Sequence, residues 1–320
     1  MGVSPTSSTT LQRPDLGELA LEYMMTPANM GLMGLDILPP FPVVEKSADY
    51  PVIPKEAVLR VQNVKRAVRG NYNRSDWQFE TKTYNCEERG WEELIDDAER
   101  RLYQRYFDLE MEAVNRALGV VSLAQEVDIA TLLFNASTFS GATSAVTTEW
   151  STAATATPRA DVNTAIQAML INPDSIAMSY KVFLNLVNTD ELKEALKYTN
   201  PIELGGLEVQ RRIVAQYFGL NNVFVSNAKK TTSKKGQSAT VVDVWDDEYV
   251  LIFKRANAAS LRDPALGRTF LWTTDSPNPL TTDQYREEQT RATIYRVRHS
   301  ADEVVQFPTG AGYLLSNITA

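Results

Sequence analysis

Five prolines fall between Leu35 and Pro54, at positions 39, 40, 42, 51 and 54. A proline removes a backbone donor and biases the residue before it towards extended conformations, so no long helix can run through this stretch. The expectation is an extended arm over residues 1–50. That arm carries two basic and six acidic side chains. Its scattered apolar residues cannot close a core alone, so its expected resting place is another surface. The charge then reverses: Lys55, Arg60, Lys65, Arg66, Arg69 and Arg74 face a single acid, Glu56. From Trp77 to Tyr84, aromatic or Thr positions alternate with polar ones, the period-two pattern of a part-exposed strand. Gly70-Asn71 supplies a turn. Residues 51–90 therefore read as a long, charged, protruding hairpin that a neighbouring chain supports, with Trp77 expected in a pocket between subunits.

Few reactive side chains accompany this hairpin. The 320 residues include one cysteine, Cys86, and one histidine, His299. No internal disulfide can form, and two candidate ligands fall short of the roughly four that a structural zinc site takes. There is no glycine-rich nucleotide loop, HExxH, GxSxG or EF-hand spacing. The acids Asp243, Asp246, Asp247 and Glu248 read as a solvated loop, and Glu92, Glu93, Asp96 and Asp97 as a helix start. The reading is a chain that is not an enzyme and uses neither cofactor nor metal. No run of 18 apolar residues is present, and MGVSPTSSTT lacks the basic and apolar regions of a signal peptide. A net charge of -8 works against non-specific attraction to nucleic acid.

The periodicities predict an α+β chain. The clearest helix is expected from Glu92 to Leu118, where Ile95, Ala98, Leu102, Tyr106, Leu109, Ala113 and Ala117 make one apolar stripe. Gly119 is expected to interrupt it, with a shorter helix following through Val127, Ala130 and Phe134. Eleven of the 23 residues from Ala136 to Pro158 are Ser or Thr, and only Glu149 among them is charged. That composition suits packed extended structure or an ordered loop. Residues 161–284 read as a separate α/β unit. It has a helix capped by Asp161, a strand in NPDSIAMS, a helix in YKVFLNLV and another behind an Asn188–Glu191 capping box. A further helix ends at Gly219, followed by strands in NVFVS, YVLIF and GRTFLWTT and a lysine-rich tip at 229–235. In the last segment Thr293, Tyr295 and Val297 share one face while Ile294, Arg296 and Arg298 share the other. Such a half-exposed strand is expected beside an adjacent chain. Opposite charges on identical subunits suit pairing between copies. The expected assembly residues are Arg60, Lys65, Arg66, Arg69, Arg74, Trp77, Glu92, Glu93, Asp96, Arg296 and Arg298.

Arm, hairpin, long helix, α/β unit and returning strand, in that order, resemble a tailed-phage major capsid protein of the HK97-like fold. The local likeness lies in TYNCEERGWEELIDDAERRLYQRYFDLEMEAV, in EVDIATLLFNASTFS, and in the run from Trp150 through Pro158 and Asp161-Val162 into INPDSIAMSYKVFLNLVNTDELKEAL. The resemblance implies an N-terminal arm at 1–50, an extended loop at 51–90 and a peripheral domain with its spine helix at 91–160. It implies an axial domain at 161–284 and a return to the peripheral domain at 285–320. It further implies a major capsid (head) protein that assembles through pentamers and hexamers into an icosahedral shell. That shell encloses double-stranded DNA without sequence-specific binding, in a virion made in the host bacterial cytoplasm. The implied partners are further copies of the chain, a separate scaffolding protein, a portal and a decoration protein, with no membrane. Two alternatives stand beside it: the shell of a bacterial encapsulating nanocompartment and, in a different class, a hydrolase working through Asp and Glu.

Overall fold

The computed structural model describes residues 11–12, 31–52, 59–66, 69–74, 80–103, 108–197, 206–234, 236–257, 264–275 and 280–319. In chain order the elements are β1 (Leu11–Gln12), α1 (Gly34–Ile37), β2 (Pro40–Val43), β3 (Ser47–Val52), β4 (Glu80–Asn85), β5 (Glu87–Asp96), α2 (Asp97–Tyr103), α3 (Leu109–Leu133) and β6 (Thr143–Ala145). There follow α4 (Pro158–Ala168), β7 (Ser175–Ser179), α5 (Tyr180–Asn188), α6 (Asp190–Leu196), α7 (Leu207–Phe218), β8 (Asn222–Ser226), β9 (Lys229–Thr231) and β10 (Val241–Asp243). The chain closes with β11 (Val250–Phe253), β12 (Gly267–Trp272), β13 (Thr281–Glu287), β14 (Ala292–Val305), α8 (Pro308–Ala311) and β15 (Gly312–Ser316). Helix and sheet are both substantial, as the α+β expectation has it.

Two sheets organise the molecule. One has six strands in the order β1-β13-β14-β12-β2, with β5 on the other side of β14. The other has five, in the order β6-β15-β11-β7-β8. The alternation of side chains puts Ile176 and Met178 of β7, with Val250 and Ile252 of β11, on one face of the five-stranded sheet, against Val182, Phe183 and Leu186 of α5 and Val214 and Phe218 of α7. Ala177, Leu251, Phe253 and Leu314 point the opposite way, into a second core with the C-terminal half of α3. β12 and the first residues of β13, within the span 161–284, belong to the six-stranded sheet, while β15 from the C-terminal segment lies inside the five-stranded one.

α3 joins the two sheets. Its first half packs Ala113, Val114, Ala117 and Leu118 on Ile95, Tyr295 and Val297 of β5 and β14. Its second half packs Ile129, Ala130 and Leu133 on the five-stranded sheet. Asp108 caps it, accepting a hydrogen bond from the Glu110 amide at 3.0 Å. Two expectations fail here. The helix does not begin at Glu92, because Glu87–Asp96 is a strand paired with β14 over ten residues. Nor does it stop at Gly119, which lies inside a continuous 25-residue helix. An interior glycine costs a helix about 1 kcal/mol, which burial against both sheets offsets.

Three smaller readings change as well. Asp161 sits in the first turn of α4 behind Thr157, and its carboxylate accepts a hydrogen bond from Trp150 Nε1 at 3.0 Å. α6 starts behind Thr189, without a side-chain cap from Asn188. β14 is covered along both edges by β5, β13 and β12 of its own chain, so it is not a strand waiting for a neighbour. Gly219 does end α7, in a left-handed conformation with φ 71°.

The arm also differs from expectation. Met33, Ile37 and Leu38 are core residues, β2 runs parallel to β12, and the backbone of Leu11–Gln12 pairs with β13. Residues 31–50 are thus built into their own subunit. β3 and β4 pair antiparallel from Ser47–Asn85 to Val52–Glu80. Their base is anchored by Tyr84 stacked on Phe270 at 4.5 Å between ring centres, with Tyr50 at 5.6 Å and Cys86 buried beside them.

Candidate interaction surface

Between Val52 and Glu80 the described residues, 59–66 and 69–74, are nearly all exposed. Among them, Leu59, Val61, Val64 and Tyr72 are all exposed, Val61 at 97% and Val64 at 85%. Isolated exposed apolar residues are ordinary, but four on one basic excursion make it a candidate contact surface. The excursion closes locally: Asn73 Nδ2 donates to Asn63 O at 2.7 Å, and the Arg66 guanidinium lies 4.9 Å from the centre of the Tyr72 ring. The turn falls at Arg69, whose φ is 66°, next to the expected Gly70-Asn71. Arg60, Lys65, Arg66, Arg69 and Arg74 are all exposed there. Trp77 lies outside the described residues.

The other expected residues gather on the six-stranded sheet. Arg296 faces Glu92 across the β5–β14 ladder; its Nε donates to Glu92 Oε1 at 2.6 Å, and Tyr285 OH donates to the same oxygen at 3.2 Å. Arg298 donates to Asp283 at 2.8 Å and to Asp275 at 2.6 Å. Glu93 points to the α3 side, accepting from Trp91 Nε1 at 3.0 Å with Arg116 3.8 Å away. Asp96 caps the turn into α2, accepting from the Ala98 amide at 2.7 Å. The structure thus brings Glu92 together with Arg296, and it keeps Arg298 satisfied within the chain. The loop bases stand apart from all of these.

Glu88, Gly90, Trp91, Glu92, Arg296 and Arg298 line an open groove of about 450 Å³. Trp91 and Leu94 are exposed on β5, and the edge of β5 away from β14 has no strand partner among the described residues. Glu92, engaged by Arg296 and Tyr285, acts here as a structural charge. The aspartates at 243–247 are likewise engaged: Asp243 pairs with Lys229, Asp246 accepts from the Glu248 amide, and Asp247 accepts from Ser179 and pairs with Lys181. Among the described residues no group of three or more His, Cys, Asp or Glu stands where it would hold a metal ion, and no helix is long and apolar enough to cross a membrane.

Sequence reasoning overlooked two polar clusters, one half-buried and one buried. In one, Arg89 makes paired bonds to Glu303 at 2.8 and 3.0 Å, with Asp128 at 3.4 Å and Gln125 also donating to Glu303. In the other, Glu126 of α3 accepts from Met33 N, Gly34 N and Trp245 Nε1. Burial raises the Glu126 pKa, although these three hydrogen bonds oppose the shift. The signal was present: Glu126 shares the α3 stripe with Ile129, Ala130 and Leu133.

No protein-family model and no curated protein matches the sequence. Solved structures do match its shape. A phage-related protein from Bordetella bronchiseptica RB50 aligns with 97% of this chain and 98% of its own, at a TM-score of 0.70 and 19% identity. The capsid structure of the cyanophage P-SCSP1u aligns over 88% and 86%, at 0.57 and 11%. The chain has the HK97-like fold. The holo-SrpI encapsulin complex of Synechococcus elongatus aligns over 89% and 86%, at 0.52 and 11%, so the likeness in fold does not separate a phage capsid from an encapsulin.

Proposed function

We propose that this chain is a major capsid protein of a tailed phage, assembling through pentamers and hexamers into an icosahedral shell around double-stranded DNA. In this reading α3 is the spine helix, residues 51–90 are the extended loop, and the two sheets are the cores of the peripheral and axial domains. One observation carries the proposal: a loop holding Val61 and Val64 almost wholly in water, with five basic residues and no acid from Leu59 to Arg74. Ordering such a loop costs entropy that an isolated subunit does not recover. Contact with a neighbouring copy recovers it, and repetition around a shell multiplies weak contacts into a stable one. The whole-length likeness to a phage-related protein supports the same reading. So does the net charge of -8, which suits a container that holds a polyanion without trapping it.

The likeness to an encapsulin favours a second reading, a nanocompartment shell whose cargo is an enzyme. Electron microscopy of the chain expressed together with its neighbouring genes separates the two. Closed particles filled with DNA, or fillable by it, support the capsid; closed particles holding a co-expressed enzyme support the nanocompartment. A monodisperse monomer at high concentration refutes both.

A further inference from the structure

We propose that Glu126 is a latch that decides whether the segment Gly31–Val43 is seated between the two sheets of the subunit. This inference concerns the single chain and stands apart from the shell reading.

The segment is a wedge. Met33, Ile37 and Leu38 insert among Ile129 and Leu133 of α3, Leu251 and Phe253 of β11, and Leu314 of β15. Two residues after Leu38, β2 begins and lies along β12 of the six-stranded sheet. The wedge therefore touches both halves of the molecule. Its leading end is held by one carboxylate, 3% exposed. Glu126 Oε1 accepts from Met33 N at 2.8 Å and from Trp245 Nε1 at 2.6 Å, while Oε2 accepts from Gly34 N at 2.9 Å. Gly34 permits this approach, since a Cβ there would sit 2.7 Å from Oε2 and 2.9 Å from Ile129 Cδ1.

A buried carboxylate held by neutral N–H groups is a poor source of stability, because an apolar side chain of similar size generally does as well. What it adds is bistability. Withdrawing the wedge removes two of the three donors and leaves a charge beside Ile129 and Trp245, so half-seated states are strongly disfavoured. Seating becomes all-or-none, with one permitted register. Trp245, which shares the carboxylate, couples the wedge to the loop ahead of β11. Glu126 is in this sense a positioning residue for the arm root.

Hydrogen exchange on the full chain tests the latch, comparing wild type with Glu126→Gln and Trp245→Phe. Glutamine keeps the size but turns an NH2 group towards a backbone N–H. Its amides from Met33 to Leu38 are expected to exchange about 100-fold faster, as loss of charge-assisted buried bonds implies, while those of β7 and β11 keep their protection. Trp245→Phe leaves both wedge bonds in place and is expected to give a smaller acceleration confined to the same amides. Unchanged exchange at 33–38 in Glu126→Gln overturns the proposal. So does an equal acceleration in β7 and β11, which would make Glu126 an ordinary part of the core. Should Glu126→Gln not fold, Trp245→Phe decides: local acceleration at 33–38 supports the latch, and its absence refutes it.

Discussion

One imidazole is expected to make this protein less stable as the pH falls. His299 on β14 lies opposite Arg89 of β5, is 1% exposed, and has no hydrogen-bond partner for Nε2 among the described residues. Burial first, and then the Arg89 charge, push its pKa down to about 4, against a weaker opposite pull from Glu303. The unfolded chain, with its histidine at 6.5, takes up the proton first as the pH falls. The stability that His299 contributes is therefore complete above pH 6.5 and is lost progressively towards pH 4. At about 1.36 kcal/mol per pH unit, the loss is about 2 kcal/mol by pH 5 and about 3 kcal/mol by pH 4. Glu126 and Asp302, whose pKa values are raised chiefly by burial, work in the opposite direction, since their folded forms protonate first. The measurement is therefore a difference: urea unfolding of the unassembled chain at pH 7, 6 and 5, wild type against His299→Gln. Wild type is expected to lose about 2 kcal/mol more than the variant between pH 7 and 5. Parallel stability curves for the two proteins would refute the reasoning.

Three further outcomes are expected. Gly267→Ala places a Cβ 2.3 Å from Val304 O and 3.0 Å from Leu38 Cδ2, so β12 must shift and thermal unfolding should show a loss of about 2 kcal/mol or more. The double change Arg66→Glu and Arg69→Glu alters only exposed side chains; it should leave the melting temperature nearly unchanged but cut particle yield on a sedimentation gradient, and normal yield would count against the loop's role. Cys86 is fully buried with its thiol pKa pushed up to about 11, chiefly by burial, so a thiol reagent at pH 8 should label it only after unfolding, and rapid labelling of the native chain would contradict the packing at the hairpin base.

The parts that were legible in the sequence have local causes. The alternation Ile176-Ala177-Met178, the run Val250–Phe253 and the helix stop at Gly219 each follow from the chain's own period or dihedral preference, and each appears where it was expected. The start of the long helix was not legible, because Glu92, Glu93, Asp96 and Asp97 suit a helix N-terminus as well as an exposed strand. The long-range pairing of Glu92 with Arg296 and of Glu93 with Tyr295 across the ladder decides between them. Gly119 misled for a related reason: local propensity disfavours it, and only the two distant sheets hold the helix continuous. The loop bases on the candidate surface were legible from composition alone. Of the Glu126 cluster only the acid's place in the apolar stripe of α3 was legible; its partners were not, since they lie 92 to 119 residues away in sequence.

The open edge of β5 has a consequence for how copies of this chain can meet. Its ten residues include Glu87, Glu88, Glu92 and Glu93. Two molecules approaching β5 to β5 would set carboxylates against one another across the new ladder, a repulsion that discourages endless edge-on stacking into fibres. A strand bearing positive charge meets no such obstacle. The acids therefore act as a filter: they leave this margin, which has no strand partner among the described residues, open to other strands while refusing it to its own likeness.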